Sequence, residues 1–98
     1  MTREQILAKI KANESAIRAE GVARLAIFGS RARGDERPES DLDIIIDLVP
    51  DDRFSLISLS KVALIIEDAL GINAQIVLRR SVPAKFRERI QSDELPVF

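Results

Sequence analysis

Asp41 and Asp43 stand either side of Leu42, at the head of the apolar run Ile44-Ile-Ile46. Alternate side chains of a strand share a face, so both carboxylates point one way while Leu42, Ile44 and Ile46 point the other. Their Cα atoms then lie about 6–7 Å apart, within reach of one cation. Magnesium suits such a pair, because it prefers oxygen ligands and often takes one or two carboxylates together with substrate phosphates. Separated from Asp41 by ten intervening residues, the pair Gly29-Ser30 closes another apolar run, Val22 to Phe28. Flexible backbone, a hydroxyl and the free N–H groups of a starting helical turn are parts that hold phosphate. Arg31 and Arg33 add positive charge to the same loop, and we assign at least one of them to phosphate, with Arg33 preferred. Together these parts suit a metal–nucleotide site.

The flanking sequence shows how they are positioned. Thr2-Arg-Glu-Gln5 has capping-box spacing, and Ile6, Ile10 and Ile17 mark a helical stripe, so one helix is predicted from Thr2 to Ala19 with Gly21 as its stop. Val22–Phe28 is the first strand, Ser30–Arg33 a short helical turn, and Gly34–Ser40 a loop marked by Pro38. The second strand runs from Leu42 to Leu48 and is closed by Pro50-Asp-Asp52. A helix over Phe54–Leu70 ends at Gly71, and Ala74–Leu78 is the third strand. Ser81 is read as the cap of a last helix, Pro83–Gln91, and Leu95-Pro-Val-Phe98 as an edge strand. The order predicts one α/β domain over residues 1–98, a small mixed sheet of three or four strands covered by helices. If the first two strands are antiparallel neighbours, Gly29-Ser30 lies beside the aspartates. A parallel return through the Phe54–Leu70 helix then brings Gln75 alongside them as a third position.

Composition narrows the chemistry. The 98 residues are 46% apolar, enough for a packed core, and 15 basic residues against 16 acidic ones argue against a general polyanion binder. Direct nucleic-acid binding is not expected, since the only aromatics are four Phe. Cys and His are both absent, which removes disulfides, ordinary zinc sites and imidazole catalysis. Carboxylates, hydroxyls, Arg or Lys and a hard metal are left. The chain begins Met-Thr-Arg-Glu-Gln, with neither a signal peptide nor a membrane span visible, and is read as cytoplasmic.

Gly29-Ser30, ten residues, then Asp41-Leu42-Asp43 resembles the signature of the polymerase-beta-type nucleotidyltransferases. The small size and the string Phe28-Gly-Ser-Arg-Ala-Arg-Gly34 resemble the minimal nucleotidyltransferases of prokaryotes, and the likeness extends to Arg87-Glu-Arg-Ile90 and Pro96-Val-Phe98. The resemblance implies a palm-like fold, nucleotide triphosphate held by Gly29 and Ser30, and magnesium held by Asp41 and Asp43. It also implies a partner, because minimal nucleotidyltransferases are often encoded beside a helical HEPN ribonuclease toxin and attach AMP from ATP to one of its tyrosines. The family usually carries a third carboxylate on the third strand, where this chain has Ala74-Gln75-Ile76-Val77. A neutral amide can orient a ligand but cannot act as a general base.

Plainer readings stand beside these. Gly29 serves a turn or a phosphate equally well, and Gln75 is either a remnant of the site or an ordinary strand residue. Ser40 is read as ending the loop, Asp47 as surface, and Arg79-Arg80 as a solvated pair. The apolar residues of 54–66 are read as core rather than interface. Two other functions remain: a nucleotide-binding antitoxin that neutralises its partner by binding alone, and the catalytic half of a small-molecule nucleotidyltransferase. The second would need a further domain for its acceptor.

Overall fold

The computed structural model describes residues 1–50 and 53–98. The predicted turn residues Asp51 and Asp52 lie outside them. Four strands form one sheet in the order β3-β2-β1-β4, with β1 Val22–Phe28, β2 Leu42–Leu48, β3 Ala74–Leu78 and β4 Leu95–Pro96. β1 pairs antiparallel with β2 and with the edge strand β4, while β2 and β3 run parallel. The three long strands have the predicted bounds, and the mixed four-stranded arrangement is the one expected.

The helices are α1 Arg3–Lys11, α2 Glu14–Ala19, α3 Ser30–Arg33, α4 Leu56–Leu70 and α5 Ala84–Asp93. The predicted first helix is therefore two. Asn13 breaks it: its side-chain amide donates to the Lys9 carbonyl at 2.9 Å, and its own carbonyl accepts from the Ile17 N–H to begin α2. An Asn side chain that binds nearby backbone competes with the helix ladder and favours such a break. Thr2 does form the capping box with Gln5. Ser55 caps α4 through Ser58, so Phe54 lies outside that helix. Ser81 is not a cap. It ends a 3₁₀ turn, Arg79–Ser81, and α5 starts after Pro83.

The sheet has a thick side and a thin side, set by the period-two alternation of β1 and β2. On the thick side Leu25, Ile27, Leu42, Ile44 and Ile46 pack with Ile6, Ile10, Ile17, Val62 and Ile66, all fully buried. On the thin side Ala26, Ile45 and Val82 form a small cluster with Phe28, Val77 and Ile90 of α5. α4 divides between core and surface: Val62, Ile66 and Leu70 are buried, whereas Leu56, Ile57 and Leu64 are 81%, 69% and 58% exposed. The reading of 54–66 as core holds for only part of it. No helix among the described residues is long and apolar enough to cross a membrane.

Candidate active site

Asp43 opens the thin face of β2, paired with Phe28 on one side and with Gln75 on the other. Asp41 precedes the strand, and the Gln75 side-chain amide donates to its Oδ2 at 3.4 Å. The register thus brings Gln75 to the aspartates, as the topology predicted. Asp43 is half-buried, and its pKa is raised, first by burial and then by the Asp41 charge, with Arg33 opposing the shift. Two neighbouring carboxylates resist ionising together, which makes the pair a place where a cation is favoured.

Gly29 closes on Asp43 from β1. Its φ of +76° and ψ of −157° lie in a region L side chains avoid, and a Cβ there would run into Asp43 Oδ2 and sit 3.2 Å from its Cγ. Glycine is thus required both by backbone conformation and by the approach of the carboxylate. We expect Gly29→Ala to lower stability by about 1–3 kcal/mol and to displace Asp43. Gly34→Ala is the control, because Gly34 also has a positive φ but nothing lies within 4 Å of its would-be Cβ. Thermal melts should fall for both variants, whereas an ATP titration should weaken only for Gly29→Ala. Equal titrations would contradict the contact argument.

Gly29, Ser30, Arg33 and Asp43 line one cavity of about 380 Å³, together with Arg89 and Asp93 of α5. Arg33 reaches it while bonded to Asp35 at 3.0 Å and to Asp93 at 2.7 Å. Arg31, the other predicted phosphate residue, does not belong there. It is buried, and its Nε and Nη2 donate to the Ser40 carbonyl at 3.0 and 2.8 Å, tying the loop back toward β2. Its guanidinium places Asp41 by holding the preceding residue. Ser40 completes the tie, since its Oγ accepts from the Arg37 N–H at 2.9 Å.

Sequence reasoning predicted α5 as a last helix but gave it no part in the site. Phe86, Arg89, Ile90 and Asp93 line the cavity at helical spacing, the signal that one face of α5 looks at the site. Arg79 also departs from its reading as solvated. It joins Asp47 at 3.0 Å and Glu94 at 2.9 and 2.7 Å, and these carboxylates, Glu94 foremost, raise its pKa. That network pins the end of α5 to the sheet further along β2. Asp47 is occupied there and is not a ligand of the site.

The structure therefore sets a carboxylate pair at the start of one strand beside a glycine-serine turn at the end of its antiparallel neighbour, with a cavity lined by Arg33, Arg89, Asp43 and Asp93. The model of the nucleotidyltransferase domain family matches residues 4–98, and the chain belongs to that family. It is 29% identical over 85 residues to the protein adenylyltransferase MntA of Thermococcus cleftensis, covering 84% of this chain and 82% of that one. A solved minimal nucleotidyltransferase superposes with a TM-score of 0.82 at 30% identity, over 98% of this chain and 96% of the other. The fold is shared with the antitoxin complexed with the tri-AMPylated HEPN toxin of Shewanella oneidensis, at a TM-score of 0.62 and 16% identity over 90% of this chain and 68% of that one. The resemblance read from Gly29-Ser30 and Asp41-Leu42-Asp43 therefore holds at the level of family and fold.

Proposed function

We propose that this protein is a magnesium-dependent nucleotidyltransferase that moves AMP from ATP to a tyrosine hydroxyl of a HEPN-type toxin, and so acts as its antitoxin. The observation that carries the reading is the juxtaposition of Asp43 with Gly29, Ser30 and Arg33 around one cavity, with the Asp41 carboxylate neighbouring Asp43. Asp41 and Asp43 would hold the metal. No third His, Cys, Asp or Glu joins them as a ligand group among the described residues. Two carboxylates nevertheless fit magnesium, which completes its shell with substrate phosphates and water. When bound, magnesium would neutralise phosphate charge as it develops during transfer. Ser30, the Gly29 backbone, Arg33 and Arg89, which line that cavity, would hold the outer phosphates, so that pyrophosphate would leave from their side.

The relatives' names support a protein acceptor and a HEPN partner, while the choice of tyrosine rests on the family resemblance. One relative is a protein adenylyltransferase, and one protein of the same fold is an antitoxin bound to an AMPylated HEPN toxin. Exposed Leu56, Ile57 and Leu64 on α4 offer apolar area that a helical partner could cover. A second reading has its own observation. Gln75 stands beside the aspartates where the family pattern has a carboxylate, which favours an antitoxin that neutralises by binding alone.

Co-expression with the neighbouring gene product, size exclusion, and incubation with ATP and magnesium test both. We expect one complex and a partner heavier by AMP on tyrosine. A complex that silences the toxin without AMP transfer would support occlusion. Separate elution of two folded proteins, with no modification, would overturn the proposal.

A further inference from the structure

A second cavity, about 520 Å³, lies against Asp43 on the side away from the phosphate residues. Its walls are apolar: Phe28, Val77, Val82, Pro83, Phe86 and Ile90. Gln75 and Ser81 also line it. The two cavities share Phe28, Asp43, Phe86 and Ile90, so they form one trough beneath α5 with Asp43 between its halves. Sheet order fixes the sides. Gly29 and Ser30 follow β1 on one side of β2, whereas Gln75 and Val77 belong to β3 on the other.

Resting on the proposed transfer, we infer that this second cavity receives the aromatic ring of the acceptor tyrosine. Phosphoryl transfer proceeds in line, with the attacking and leaving oxygens on opposite sides of the phosphorus. Pyrophosphate leaves from the Gly29, Ser30 and Arg33 side, so the attacking oxygen arrives across Asp43, from the β3 side. A residue entering there passes between apolar walls, which suit a phenyl ring better than an aliphatic hydroxyl side chain. Two of those walls are Phe rings, able to pack edge to face against it. In the step itself, a bond forms between the tyrosine oxygen and the α-phosphorus. The bond from that phosphorus to the bridging oxygen breaks with its electron pair going to pyrophosphate, and the phenolic proton is released to water. The cavity volume falls in the range of small-ligand sites, about 300–1,000 Å³. Val77 and Ser81 then act as selectors of the acceptor, apart from the nucleotide.

The test uses p-cresol, the tyrosine side chain without its backbone, and methyl-labelled protein. In NMR titrations p-cresol should shift the methyls of Val77, Val82 and Ile90 and leave those of Ile44 and Val62, on the opposite face, unmoved. It should still bind with ATP and magnesium at saturation. Val77→Phe and Ser81→Trp, which fill the cavity, should reduce transfer to the partner about tenfold or more, the least that steric misfit in an apolar pocket usually produces. Their ATP affinity should stay within about twofold of the natural protein, because neither touches the phosphate residues. Ser81 is exposed, so its variant decides the matter if Val77→Phe does not fold. Displacement of p-cresol by ATP would assign the cavity to the nucleobase and overturn the inference. Natural transfer rates in both filled variants, or cresol shifts confined to other surfaces, would overturn it too. Failure of the natural protein to bind nucleotide would instead sink the proposed function, and the cresol titration would still decide whether the cavity takes a phenol.

Discussion

Gln75→Asp should speed AMP transfer by about 10²–10⁴-fold, the range a positioned general base contributes. Gln75 pairs with Asp43 across β2 and β3 and donates to Asp41, so an aspartate there would enter the same cluster. The amide cannot accept the acceptor's proton, and the natural protein should therefore be slow. With magnesium bound, the added charge is offset by the cation. In EDTA three acids would repel one another, and the variant should melt below the natural protein. Mass shift of the partner over time measures the rate. If the natural protein already modifies its partner to completion and Gln75→Asp is no faster, two aspartates suffice and the base lies elsewhere.

Asp41→Asn combined with Asp43→Asn should reduce transfer by about 10³-fold or more, since metal stabilisation of phosphate charge amounts to several kcal/mol. The same change should stabilise the fold in EDTA at neutral pH. Asp43 has its pKa raised in the folded chain by burial and then by Asp41, so the folded state holds that proton more tightly than the unfolded one. Stability therefore falls as pH rises from below the ordinary carboxylate value through the raised one, and the loss persists at neutral pH. Asn has no such titration. In EDTA the melting difference should be largest near neutrality and shrink on acidification below the ordinary carboxylate range. A double variant that transfers AMP at the natural rate, or that melts below the natural protein at neutral pH, would contradict this.

The elements that carry the site were legible because their signals are local. Val22–Phe28 and Leu42–Leu48 are short apolar runs bounded by turn residues, and the antiparallel pairing of those strands followed from the loop joining them. Gly71 ended α4 as read, with a φ of +71°. Parallel return through α4 then placed Gln75 opposite Asp43 without further information. What stayed hidden depends on which charged side chains meet in space. Arg31 and Arg33 are two residues apart and chemically identical, yet one is buried on a carbonyl and the other faces the cavity. Arg33 meets Asp93 across 60 positions of sequence, and Arg79 meets Asp47 across 32. No periodicity encodes such pairs. The break at Asn13 was local but was overridden in the reading by the Ile6, Ile10 and Ile17 stripe, which continues through it.

Calorimetric titration of the natural protein with ATP, in magnesium and then in EDTA, tests the central claim most directly. A metal–nucleotide site at Asp41 and Asp43 predicts binding with magnesium, loss of that binding in EDTA, and the same loss when both residues become Asn. ATP affinity that is unchanged by EDTA, or unchanged by the double substitution, would contradict it.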